Sequence, residues 1–193
     1  MSATHPTPQA EDGEEAIIRR AMLGETADFA RLVTAHYERI YRLAYRFVGR
    51  KEDAEDVAQE VCIKLAHNLN SYRFEAPFSI WLSRMVMNSA RDFLRVRTRK
   101  QSRESPLFED AEWVAGGVNP EQQAAARQEL ARVNALPDGL KEAIILVFGE
   151  GLSHAAAALA LGCAESTISW RIHEARKILQ QPVKSKPVGG GMP

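Results

Sequence analysis

"GLSHAAAALALGCAESTISWRIHEARK", Gly151 to Lys177, reads as helix, tight turn, helix. Ser153 stands where it can cap the first helix, and Gly162 is the residue type that closes a helix in the left-handed conformation. Ser166 is expected to cap the second helix. There Ile168, Ile172, Ala175 and Leu179 recur at spacings of four, three and four, forming one apolar stripe. That stripe turns Thr167, Trp170, Arg171, Glu174 and Lys177 outward and leaves His173 at its edge. Outward side chains that can bond base edges, on a helix whose N-terminal amides can meet phosphate, fit a DNA major groove. Arg171 is the first choice for guanine, and Glu174 can accept from cytosine. A hairpin whose polar face only meets water would have the same spacing, but such a face has no use for an outward Trp170.

Working outward, "PDGLKEAIILVFGEGL" and "EQQAAARQELARVNAL" supply two more helices ahead of this pair. Before them, "QSRESPLFEDAEWVAGGVNPEQ" has no sustained period and holds two Gly and two Pro, so residues 101–120 are expected to be a flexible acidic linker. The N-terminal half carries its own helical periods. Ile17 and Ile18 lie in a short amphipathic stretch that stops at Gly24. Phe29, Leu32, Val33, Ile40, Leu43, Ala44 and Phe47 mark a long helix closed by Gly49. A third runs from about Glu52, with Ala54, Val57, Ala58, Val61, Leu65 and Leu69 inward. After the breaker "NLNSYRFEAP", Pro77 suits the first turn of a fourth, with Phe78, Trp81, Leu82, Met85, Ser89 and Phe93 inward. No segment alternates with period two. The expected fold is all-α, with two small helical domains at 14–100 and 121–181 and loose ends at 1–13 and 182–193.

Two further surfaces stand out. Arg84, Asn88, Arg91 and Arg95 share an outer face of the fourth helix, and Tyr72, Arg73 and Phe74 precede it in the loop. Cations that track phosphate beside rings that stack on unpaired bases suit a single strand. A basic solvated face with the loop rings folded inward is the competing reading. By contrast "EDAEDVAQE", Glu52 to Glu60, packs five carboxylates into nine residues. The residues most opposed to the buried stripe are Glu52, Asp56, Gln59, Glu60 and Ile63. Acids around an exposed aliphatic side chain resemble a docking face for a basic protein more than a solvated one.

The 193 residues carry 25 basic and 25 acidic side chains, so net charge alone selects no partner. Their distribution does. Residues 73–104 hold eight basic and three acidic side chains, and 105–150 hold three basic and eight acidic. Cys62 and Cys163 are too few and too far apart for a disulfide framework or a Cys-pair metal site and are expected to be small core residues. The five histidines form no i, i+4 pair, and no phosphate loop, nucleophile elbow or dinucleotide fingerprint occurs. Enzymatic activity, a metal and a cofactor are therefore not expected. No apolar run reaches the length of about eighteen residues that spans a bilayer, and the first residues lack the regions of a signal peptide, so a cytoplasmic protein is expected.

In this order the three surfaces resemble a bacterial RNA polymerase sigma factor of the sigma-70 family, in the extracytoplasmic-function (ECF) group. "DAEDVAQEVCIKL" is similar to the family's core-binding helix, "YRFEAPFSIWLSRMVMNSARDFLR" to its promoter-melting segment, and the stretch from Leu136 to Arg176 to its region four. The resemblance implies a transcription initiation factor that binds core RNA polymerase and directs it to promoters. It implies that Asp53, Asp56, Gln59, Glu60 and Ile63 meet the clamp helices of the largest subunit, with the flap as a second polymerase contact. Tyr72, Arg73, Phe74, Arg84, Asn88, Arg91 and Arg95 would take the minus-ten strand. Ser166, Thr167, Trp170, Arg171, His173, Glu174 and Lys177 would face the minus-thirty-five element. An anti-sigma factor is an implied partner. The chain departs from the family's common pattern in "AAAA" at Ala155 to Ala158, in Ser169 and Trp170, and in Glu174 where a basic residue is frequent. The rival reading is a stand-alone dimeric helix-turn-helix regulator; a third is a helical adaptor with no DNA role.

Overall fold

A computed structural model describes residues 13–100 and 128–181. The linker expected at 101–120 and the loose ends expected at 1–13 and 182–193, Gly13 apart, lie outside the described residues. Every regular element among those described is helical, as the sequence predicted. The described chain divides into two compact units, residues 13–45 with 51–100, and residues 46–50 with 128–181.

The first unit contains α1 (Glu14–Met22), most of α2 (Thr26–Val48), α3 (Lys51–Asn68), a 3-10 turn (Leu69–Ser71) and α4 (Phe78–Lys100). The glycines that were expected to break the helices do so: Gly24 and Gly49 adopt φ +97° and +80°, a region that β-carbons disfavour. Pro77 stands just before α4, and its carbonyl accepts from the Ile80 amide at 2.9 Å. The stripe of α3 is buried as its spacing required, with Ala54, Val57, Ala58, Val61 and Leu65 at 1% exposure or less. It packs against α4. Of the expected inner face of α4, Phe78, Leu82 and Ser89 are buried, joined by Val86, Met87 and Ala90, whereas Trp81, Met85 and Phe93 are only half-buried. Burying each of the larger aliphatic side chains, such as Val57, Leu65, Leu82 or Met87, stabilises the unit by about 1.5–3 kcal/mol.

Polar contacts fix α1 and α2 in this frame. Arg20 donates to both carboxylate oxygens of Asp28, at 2.6 and 3.1 Å. His36 of α2 bonds the Glu14 carboxylate at 2.9 Å and meets the Phe78 ring edge-on. Arg39 reaches the start of α4, donating to the Ser79 carbonyl at 2.8 Å and to the Ser83 hydroxyl at 2.9 Å.

In the second unit a helix over 128–134 (α5) leads to α6 (Asp138–Ile144), which runs into a π-helical turn (Ile145–Gly149). The helix-turn-helix follows as α7 (His154–Leu161) and α8 (Glu165–Leu179), both packed with α6 or its turn. Ser153 caps α7 by accepting from the Ala156 amide at 3.1 Å, and Gly162 closes it at φ +64°. Ser166 does not cap α8: that helix starts two residues earlier than such a cap requires, its N-cap is Ala164, and there is no side-chain cap bond. Ile168, Ile172 and Ala175 are buried as predicted, and Leu179 is half-buried at the helix end. His154 Nδ1 lies 3.0 Å from the Ser169 hydroxyl and ties the start of α7 to α8.

The hydrogen bond from Arg20, helped by the Arg31 charge, holds the Asp28 carboxyl below its usual range. A carboxylate with a depressed folded-state pKa stabilises above its unfolded value, about 3.9, and loses that contribution as pH falls through the folded value. Asp28→Asn should therefore lower the melting temperature at pH 7 and narrow its gap to the parent chain below about pH 4. A gap that stays constant across this range would show that the pair contributes no pH-linked stability.

Candidate nucleic-acid interface

The α3–α4 packing sets which side chains face outward. On α3, Asp56, Gln59 and Glu60 are exposed and Ile63 is 55% exposed, an apolar residue at the end of an acidic face. Asp53 departs from what the family resemblance implied. It is ion-paired with Arg97 of α4, and both side chains are only 14% exposed. One turn before Val57 it lies on the flank nearest α4, where a carboxylate needs a partner as it leaves water.

On the far stretch of the same seam Trp81 and Met85 border a groove of about 300 Å3. Asn68 and Ser71 line it from the end of α3 and the turn, and Arg84 and Asn88 from α4. Lys64 also reaches it, donating to the Ser89 hydroxyl at 3.0 Å. An apolar ring beside amides and two cations is a suitable lining for an unstacked base with its phosphate. Arg84, Asn88 and Arg95 are exposed as expected. Arg91 is half-buried and donates to the Asn88 side chain at 3.1 Å, which fixes that amide. Lys64 was absent from the expected site, because on α3 it reads only as the partner of Glu60, four residues before it.

The loop rings divide. Arg73 is exposed, but Tyr72 is buried at 7% exposure, which corrects its expected place as a stacking platform. Its hydroxyl donates to the Ala76 carbonyl at 2.7 Å and its ring meets those of Phe78 and Trp81 at 5.3 and 5.5 Å. Burial pushes its phenol pKa up. A large ring between two others contributes more to the core than it could in a mobile loop. Tyr72 therefore shapes the loop from beneath. Phe74 is half-buried at φ +59°, a conformation that β-carbons disfavour, with its ring against Tyr72 and beneath the Arg19 guanidinium at 4.2 Å. Arg19 is held in turn by Glu15 at 2.6 Å. Residue spacing carries no sign that α1 reaches this loop.

On α8, Trp170 is 60% exposed, and Ser166, His173 and Lys177 are also exposed. Thr167 and Glu174 are half-buried. Arg171 differs from the free outward side chain that the stripe predicted. Its guanidinium lies over Gly139 at the start of α6 and 3.9 Å from the buried Glu142 carboxylate, leaving the side chain 24% exposed. A carboxylate at 5% exposure draws in the nearest cation.

Comparison with known proteins identifies the family of both helical units. The Sigma-70 region 2 profile matches residues 32–100, and the Sigma-70, region 4 profile matches residues 127–179. An ECF RNA polymerase sigma-E factor of Haemophilus influenzae is 32% identical over 89% of this chain and 95% of its own length. The ECF RNA polymerase sigma factor SigW of Bacillus subtilis is 30% identical over 86% of this chain and 95% of its own. Among solved structures, the sigma factor RpoE of Bartonella quintana, in complex with the anti-sigma factor NepR, has a TM-score of 0.67. It is 26% identical and covers 79% of this chain and 94% of its own. CnrH, solved with the cytosolic domain of CnrY, has a TM-score of 0.62 at 27% identity and covers 87% and 95%. The chain belongs to the sigma-70 family of RNA polymerase sigma factors, in the ECF group. It is a promoter-directing transcription initiation factor.

The strained loop gives a stability test. Phe74→Ala loses the ring but keeps a β-carbon at positive φ, whereas Phe74→Gly loses the ring and the strain together. The glycine variant should be the more stable of the two by about 1–2 kcal/mol in urea unfolding. An alanine variant of equal or greater stability would mean that the loop relaxes without cost.

Proposed function

We propose that the two halves of the α3–α4 seam do different work in the same initiation complex. The acidic face, Asp56, Gln59 and Glu60 with Ile63, docks on the clamp helices of the polymerase's largest subunit. Carboxylates at that rim steer a basic partner and exclude acidic ones, while the aliphatic side chain supplies desolvated contact. The other half takes the non-template strand of the minus-ten element. Arg73, Arg84 and Arg95 follow its phosphates, and the groove beside Trp81 and Asn88 holds an unstacked base. Trapping that base offsets the cost of unpairing it, a few kcal/mol, and so favours the melted duplex. The single observation that carries this reading is the exposure of Ile63 beside a row of exposed acids, on the helix that packs against the strand-binding one.

The second unit is proposed to read the minus-thirty-five element through Trp170, His173 and Lys177, with Arg171 reaching a base only after leaving Glu142. We also propose that 14–100 and 121–181 are the working domains, that the protein acts in the cytoplasm without catalysis of its own, and that an anti-sigma factor restrains it. Two relatives were solved with partners that bear on this: CnrH with the cytosolic domain of CnrY, and RpoE with the anti-sigma factor NepR. Among the described residues no helix is long and apolar enough to cross a membrane. A stand-alone dimeric regulator accounts for α7 and α8 but leaves the acidic face of α3 without a use.

Asp56→Lys combined with Glu60→Lys tests the docking half. The variant should keep its helical content and melting temperature, because both positions are exposed, yet fail to assemble with core polymerase or to support run-off transcription. Retention on polymerase at parental strength would remove this face from the interface.

A further inference from the structure

The hydrogen bond between Lys64 and Ser89 divides the seam. On one side lies the groove beside Trp81. On the other a second groove, of about 310 Å3, is lined by Val57, Phe93 and Val96 together with the carboxylates of Asp56, Glu60 and Asp92. Its apolar residues are graded from floor to rim: Val57 is 1% exposed, Phe93 half-buried and Val96 51% exposed. Nothing in the strand-binding reading uses Asp92, Phe93 or Val96, and an exposed valine over an apolar floor is surface that the free chain gains nothing by leaving in water.

We infer that the polymerase-docking surface crosses from α3 onto α4 and that this groove receives an apolar side chain of the same basic helical segment that meets Asp56 and Glu60. The inference rests on the docking reading above and adds Asp92, Phe93 and Val96 to it. Charge chooses the occupant. Three carboxylates line the groove, and the one cation among its lining residues, Lys64, is already bonded to Ser89 and sits 3.4 Å from Glu60. A basic segment is therefore favoured. The chain's own linker, residues 101–120, carries four acids against one basic side chain, and a second copy of this surface would oppose acids to acids. Continuity also argues for one occupant. Asp56 and Glu60 belong both to the groove and to the exposed face of α3, so a helix lying on that face passes along the groove edge. Ile63 on one side of these acids and Val96 on the other then give the interface two apolar contacts within a charged rim, the pattern of a desolvated centre.

The test measures affinity of the full chain for core polymerase without DNA, so that promoter contacts do not enter. Val96→Asp should weaken assembly by about tenfold or more, whereas Val96→Leu should stay within about twofold of the parent. Asp92→Lys, a reversal at an exposed position, should also weaken assembly and reads the same surface should Val96→Asp lose helical content. Parental affinity of both Val96→Asp and Asp92→Lys, with loss in the Asp56→Lys, Glu60→Lys variant, would confine docking to α3 and overturn the inference while the docking reading stands. Parental affinity in all three would overturn both.

Discussion

The packing of α3 against α4 is the constraint on which the rest depends. Ala54, Val57, Ala58, Val61 and Leu65 must leave water, and a helix that buries one stripe has no freedom left in where its other side chains point. That single requirement sends Asp56, Glu60 and Ile63 outward. It also brings Lys64 within reach of Ser89 and forms a seam whose two ends differ in chemistry. One end is acidic and apolar, the other amide-rich and cationic beside an indole ring. A protein that must hold a polymerase and a melted strand together gains from having both surfaces on one rigid pair of helices, because the distance between them is then set by packing.

The second unit applies the same logic with a shorter stripe. Ile168, Ile172 and Ala175 orient α8 so that Trp170, His173 and Lys177 meet solvent, while the Ser153 cap and the Gly162 turn fix where that helix begins. Trp170 is the conspicuous side chain here. An indole in water beside a histidine and a lysine suits a groove with apolar methyl groups and phosphates at its edges.

Much of this was legible in the residues. Periodicity gave the helices, glycine gave their ends, and the acidic face of α3 followed from its buried stripe. Asp53 entered only through the family resemblance, and spacing cannot show that Arg97, on another helix, stands opposite it. Tyr72 was misplaced for a related reason: its place beneath the loop depends on Phe78 and Trp81 coming together in three dimensions. Arg171 was assigned outward by the α8 stripe, yet the buried Glu142 draws it toward α6. Trp81 and Met85 depart for a different reason. Spacing put them inward with Phe78, Leu82 and Ser89, but burial on α4 extends instead to Val86, Met87 and Ala90, and the two larger side chains are left to border the groove. Local spacing thus fixes which face is covered, and only tertiary contact decides which polar or aromatic residue is drawn to a partner.

The central claim is that opposite ends of one helix seam serve polymerase and strand. Photocrosslinking from single positions in an open promoter complex tests it most directly, with a benzoyl-phenylalanine probe placed at Ile63 and, separately, at Arg84. The account predicts that the Ile63 probe labels the largest polymerase subunit and that the Arg84 probe labels the non-template strand near the minus-ten element. Labelling of the strand from Ile63, or of the same protein partner from both positions, would contradict it.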